Sequence, residues 1–93
     1  MIFEDKQIEE LIKTEVQLIE LCFKINDKLG ETAVESAINN FYGYLCRGLG
    51  KEKFFAPMNM EYRKFVIDLA QAIPEKIRAK AMPVILGITK DKK

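Results

Sequence analysis

Residues 4–29 carry the longest uninterrupted helical pattern of the chain, with no glycine or proline before Gly30, and they constrain the fold more than any other segment. Apolar side chains recur in it at helical spacing, which predicts one long helix of about 39 Å. On a helical wheel they cover an arc of about 220°, and they are Ile8, Leu11, Ile12, Val16, Leu18, Ile19, Leu21, Cys22, Phe23, Ile25 and Leu29. A helix that packs against one neighbour needs an apolar face of little more than about 100°. We therefore expect this helix to be covered from several directions, by the rest of the chain or by a second copy.

The sequence after this segment predicts a short turn and a second helix. Gly30 is expected to end the first helix as a left-handed C-terminal residue. Thr32 and Glu35 have the spacing of a capping box, so the second helix should run over about residues 33–47. Such a short turn would make the first two helices antiparallel neighbours.

Two more helices are predicted in the C-terminal half. Asn59 is placed to cap a third helix over residues 60–72. Pro74 fits the first position of a fourth helix, and Pro83 is expected to break it. Residues 89–93 should form a frayed tail. The resulting fold class is all-α, an antiparallel bundle of about four helices in a single domain over the 93 residues.

Composition limits the class of protein further. With 48% hydrophobic residues, the chain can build one small core. No run approaches the roughly 18 apolar residues of a membrane span, and the acidic, polar start does not fit a signal peptide, so membrane association is not expected. Cys22 and Cys46 are expected to be buried thiols in a cytoplasmic protein.

The residues needed for common catalytic sites are missing. Histidine is absent, which removes His-based acid–base catalysis and His metal ligation. There is no CxxC pair, and the glycine-containing segment 48–54 lacks the spacing of a phosphate-binding loop. We therefore expect a protein that is not an enzyme and that uses no metal or other cofactor.

Five polar residues interrupt the predicted faces of the first two helices. In a hairpin that turns near residue 31, positions whose numbers add to about 62 face each other. Asn26 would then face Ser36, Asn40 would lie further along the same interface, and Glu15 would face Arg47. We interpret these residues as a polar seam that fixes helix register, or that lines a small pocket or a partner contact. Alternatively, the register is different and Glu15 reaches solvent.

Two apolar segments are candidates for contact with another protein. Phe54 and Phe55 precede Met58 in the loop after the second helix, and Val84 and Leu86 follow the predicted break in the fourth. Each group either folds back onto the bundle or forms a partner-binding surface.

Charge is distributed unevenly along the chain. Residues 1–46 carry a net charge of −5 and residues 47–93 one of +6. The two halves could attract each other within one bundle or across a dimer, or the basic half could bind nucleic acid or an acidic partner. The candidate anion contacts are Lys51, Lys53, Arg63, Lys64, Lys76, Arg78 and Lys80.

A long first helix, a short turn, the segment AINNFYGYL, a loop and the segment MEYRKFVIDLAQAI follow one another over residues 16–73. This layout resembles the helical immunity proteins of pediocin-like bacteriocins in helix spacing, and it carries no functional residue across. The segment interrupted by Pro83 does not match their C-terminal tail. The sequence thus favours a small non-catalytic, homodimeric protein-binding protein: a regulator, inhibitor or immunity protein of the kind that phages and plasmids encode. The alternative is a nucleic-acid-associated accessory protein.

Overall fold

A computed structural model describes residues 4–50 and 58–91 of the chain. The described residues form four helices and no strand: α1 over Asp5–Ile25, α2 over Asp27–Leu49, α3 over Met60–Ala72 and α4 over Glu75–Asp91. The predicted all-α bundle is confirmed. Within the described ranges, no helix combines the length and the apolar character needed to cross a membrane.

The turn between α1 and α2 consists of Asn26 alone. Its backbone is extended, with φ −168° and ψ 162°, and its N–H donates to the carbonyl oxygen of Cys22 at 3.1 Å. Its side-chain Oδ1 accepts a hydrogen bond from the backbone N–H of Leu29 at 2.8 Å. One residue therefore ends α1 and caps α2, because asparagine readily supplies an acceptor to the free N–H groups of a helix start.

The predicted turn at residues 30–32 is wrong, and both of its signals have other roles. Gly30 lies inside α2 and is buried. The capping box is absent, because Thr32 lies within the helix and its hydroxyl donates to the carbonyl oxygen of Lys28 at 3.0 Å. Consequently α1 is shorter than predicted, at 21 residues, and α2 is longer, at 23.

Gly30 allows α1 and α2 to approach each other closely next to their turn. A Cβ atom built at position 30 would overlap the ring of Phe23. Phe23 is itself buried in the core. The glycine is therefore needed for the space that it leaves, since its backbone is helical and has no positive φ.

The core is formed by one face of each helix. Phe41 of α2 and Phe65 of α3 stack at its centre, with ring centroids 4.1 Å apart and an interplanar angle of 5°. The largest fully buried side chains around them are aliphatic: Ile19, Val34, Ile38, Leu45, Leu69, Ile73 and Ile85. Residues from all four helices thus share one hydrophobic core.

The start of α3 agrees with the sequence prediction. Asn59 caps it by accepting from the backbone N–H of Tyr62 at 2.8 Å, and the helix covers the predicted residues 60–72. Pro74 directly precedes α4, and its carbonyl accepts from the N–H groups of Ile77 and Arg78 at 3.0 Å.

The end of α4 differs from the prediction. The helix continues through Pro83 to Asp91, so neither the break at Pro83 nor a frayed tail beginning at residue 89 is observed. Thr89 is held within the helix by a hydrogen bond from its hydroxyl to the carbonyl oxygen of Ile85 at 2.9 Å. Pro83 and Ala79 are both exposed, so water can hydrate the Ala79 carbonyl that loses its helical donor.

Gly30 and Gly87 form a matched pair for testing the close approach of the helices. Gly30→Ala should lower the free energy of unfolding by about 1–3 kcal/mol, because the added methyl must displace the Phe23 ring. Gly87→Ala should raise it by about 0.5–1 kcal/mol, because alanine favours the helix over glycine and the new methyl meets no side chain or other helix within 4 Å. Urea denaturation of both variants measures the difference. Equal stabilisation by the two substitutions would contradict the close approach.

Candidate protein-binding site

One face of α1 is left uncovered by the rest of the described chain. Leu18, Leu21 and Ile25 are 49%, 56% and 63% exposed. Together with exposed Thr14, and with Leu11, which is half-buried because it packs against the core, they recur at alternating intervals of three and four residues. This is the spacing of the a and d positions in a coiled coil. We call these five residues the α1 stripe.

The α1 stripe is distinct from the face by which α1 enters the core. That second face carries Ile8, Ile12, Val16, Ile19 and Phe23, all buried. The expectation that the wide apolar arc needs several neighbours therefore holds only in part, since the described chain covers one side of it. The alternating three- and four-residue spacing of the stripe residues is the sequence signal that distinguishes the α1 stripe from the core face of the same helix.

The uncovered side chains have a substantial free energy still to gain. Full burial of a leucine or isoleucine is worth about 1.5–3 kcal/mol, and Leu18, Leu21 and Ile25 are each about half exposed. Covering all three would therefore contribute roughly 2–5 kcal/mol before the costs of association.

The stripe has polar edges that carry three acidic or basic side chains among five residues. Glu10, Gln17 and Lys24 follow one edge, and Glu15 and Cys22 follow the other. Glu15 is half-buried, and this burial raises the pKa of its carboxyl group above the ordinary value. The centre of the stripe is therefore bordered by one uncharged amide, one thiol and one partly desolvated carboxyl group.

The predicted polar seam is not assembled. Because the hairpin turns at Asn26, positions whose numbers add to about 52 face each other, not 62. Asn26 is exposed at the turn, and Ser36 and Asn40 are exposed on α2. Arg47 is also exposed, with its guanidinium 5.1 Å from the centre of the Tyr44 ring.

Glu15 and Arg47 do not pair in the described structure. The ion pairs among the described residues are Lys64–Asp68 and Lys80–Asp27. The predicted pairing of Glu15 with Arg47 is therefore wrong. The same shift of the turn from residue 31 to residue 26 accounts for it.

The other contact candidates that the structure describes differ in exposure. Phe54, Phe55, Lys51 and Lys53 lie in segment 51–57, outside the described residues. Met58 and Leu86 are 71% and 60% exposed, whereas Val84 is half-buried against the core. Met60 and Ile67, which no sequence pattern identifies as contact residues, are also exposed on α3.

Two of the basic side chains form ion pairs within the fold. Lys64 contacts Asp68 at 2.8 Å, and Lys80 contacts Asp27 at 2.9 Å. The hydrogen bond to Asp68, supported by its charge, raises the pKa of Lys64. Each pair is exposed, so it contributes little stability, but it reduces the positive charge available to an external anion.

Arg78 connects α4 to the end of α3. Its Nη2 donates to the carbonyl oxygen of Gln71 at 3.0 Å and to that of Ile73 at 2.9 Å. These hydrogen bonds satisfy acceptors at a helix C-terminus that have no partner within the helix. Arg63 and Lys76 form no ion pair with the described residues, and Lys76 and Lys80 line one pocket together with Lys24 and Glu20.

Within residues 4–50 and 58–91, no group of three His, Cys, Asp or Glu side chains is positioned to hold a metal ion. Cys22 and Cys46 are free thiols. Burial, together with repulsion from Tyr42, raises the pKa of Tyr62 to about 12, so this phenol is neutral at physiological pH. The α1 stripe, because it is apolar and exposed, is suited to hydrophobic contact with another protein surface.

The raised pKa of Glu15 predicts a pH dependence of stability. A carboxyl group whose pKa is higher in the folded state than in the unfolded state destabilises the fold as pH rises through the interval between the two values. Glu15→Gln should therefore be more stabilising at pH 7 than at pH 4, where both states of the wild-type residue are largely protonated. Thermal unfolding of both proteins at each pH measures this difference. A constant difference between them would contradict it.

Arg78 and Lys76 form a matched pair for testing whether the hydrogen bonds of a basic side chain stabilise the fold. Arg78→Met should lower the free energy of unfolding by about 1–3 kcal/mol, because two carbonyl groups lose their charged donor. Lys76→Met should change it by no more than about 0.5 kcal/mol. Chemical denaturation of both variants makes the comparison. Equal effects would show that the Arg78 hydrogen bonds contribute nothing.

No protein-family model, curated protein or solved structure matches the chain.

Proposed function

We propose that the protein is a non-catalytic protein-binding protein that acts by surface contact, as a regulator, inhibitor or immunity protein does, in the cytoplasm. The observation that carries the proposal is the exposed α1 stripe. Three large aliphatic side chains, each about half exposed, occupy consecutive positions of a coiled-coil repeat. A helix that displays such a repeat to solvent can bind a second helix.

The alternative, a nucleic-acid-associated accessory protein, has weaker support. Binding to phosphates requires several cations that are clustered and free. Among the described candidates, Lys64 and Lys80 have acidic partners and Arg78 is bound to backbone carbonyls. Arg63 and Lys76 are therefore the described candidates without such contacts.

A site-specific photocrosslinker tests the proposal without knowledge of the partner. Leu21 is replaced by p-benzoylphenylalanine in the native host, and Ile67, which has a similar exposure of 53% on α3, is replaced in a parallel control. Irradiation should produce discrete protein adducts from position 21 that exceed those from position 67. Adding Leu18→Glu to the position-21 protein should abolish them, because a buried carboxylate without a partner opposes contact along the stripe.

The adducts are identified by mass spectrometry, either as copies of this chain or as another protein. Equal labelling from positions 21 and 67, or no adduct from position 21, would contradict protein binding through the stripe. Salt-sensitive capture of the unmodified protein by nucleic acid, lost on replacing Arg63 and Lys76 together, would favour the alternative function.

A further inference from the structure

We propose that the α1 stripe binds α1 of a second copy in antiparallel orientation, so that the protein is a two-fold symmetric homodimer. This inference rests on the proposed function and specifies the occupant of the stripe. It follows from the order of the exposed residues and from the charges beside them.

The stripe is complementary to itself under two-fold rotation. In an antiparallel helix pair, a positions of one helix pack against d positions of the other. In the register that places Leu18 against the partner's Leu21, the same contact occurs twice. Ile25 then packs against the partner's Thr14, also twice. This register covers all three exposed aliphatic side chains with stripe residues of α1.

The edge residues favour this orientation. Antiparallel packing places Gln17 beside the partner's Lys24 and Glu15 beside the partner's Cys22, so no like charges meet. Parallel packing would place Glu10 beside the partner's Glu15, which is unfavourable. The net charge of the chain is only +1, and α1 itself carries five acidic and three basic residues, a net charge of −2, so the long-range repulsion between two copies is modest.

The size of the stripe sets the strength of association. In this register the contact runs from Thr14 to Ile25, about 17 Å of helix, because Leu11 has no stripe residue opposite it. Such a contact lies at the low end of specific interfaces, which begin near about 1,200 Å² in total. We therefore expect a reversible dimer with a dissociation constant on the order of micromolar.

Sedimentation equilibrium over a range of concentrations tests the dimer directly. The wild type should approach twice its chain mass of 10.7 kDa in the micromolar range. Leu21→Glu should raise the dissociation constant at least about thirtyfold, because it places two carboxylates in the apolar contact. Ile67→Glu, the matched control on α3, should leave it unchanged. Circular dichroism verifies that each variant is folded.

Position 17 tests the orientation. Gln17→Glu should tighten the antiparallel dimer by about three- to tenfold, because two ion pairs form with the partner's Lys24. Gln17→Lys should weaken it by a similar factor. In a parallel dimer position 17 faces the partner's Cys22, so neither charge should matter.

Three results would overturn the inference. These are a wild type that stays monomeric well above micromolar concentration, a dimer that Leu21→Glu does not weaken, and a dimer that does not respond to the charge at position 17. A monomer that still forms position-21 photoadducts with a different protein would overturn the homodimer and leave the proposed function intact. A monomer without such adducts would remove both.

Discussion

The one-residue connection at Asn26 determines the arrangement of the rest of the bundle. Because the chain reverses within a single extended residue, α1 and α2 are in contact immediately beside the turn. Close to this turn the two helices fit together only because Gly30 has no side chain that would overlap the ring of Phe23. The position of the turn sets the register of the hairpin, and the register decides which side of α1 faces the core and which side remains outside.

This register divides the apolar surface of α1 into a face that packs in the core and a face that lies outside it. One face supplies Ile8, Ile12, Val16, Ile19 and Phe23 to the core. The described residues leave the α1 stripe uncovered, and Leu18, Leu21 and Ile25 remain about half exposed. The basic residues illustrate the opposite situation, since Lys80 and Arg78 look available in the sequence but are engaged by Asp27 and by backbone carbonyls. The α1 stripe is therefore the candidate surface that the described side chains support best.

Sequence patterns were sufficient for the helices and insufficient for their register. Asn59 and the periodicity after it fixed α3 correctly, because both signals are local and agree with each other. At the first turn the local signals conflict. Gly30 and the pair Thr32 and Glu35 indicate a turn at residues 30–32, whereas Asn26 lies inside a long apolar pattern that indicates a continuous helix. Only the packing of Phe23 against Gly30, a contact between two helices, decides this conflict. The polar seam was consequently misplaced, and the choice of uncovered residues on α1 could not be made from the sequence alone.

The short connection at Asn26 also has a consequence for how the chain folds. Helices α1 and α2 share the most extensive helix–helix interface in the described structure, and closing it requires the ordering of a single connecting residue. The loss of chain entropy on forming this hairpin is therefore small compared with that on bringing α4 against α2, which must close the whole of α3 and its flanking segments. We therefore expect the α1–α2 hairpin to form early in folding. The later helices cover its inner face, and the stripe on its outer face is left uncovered by the described residues of the folded chain.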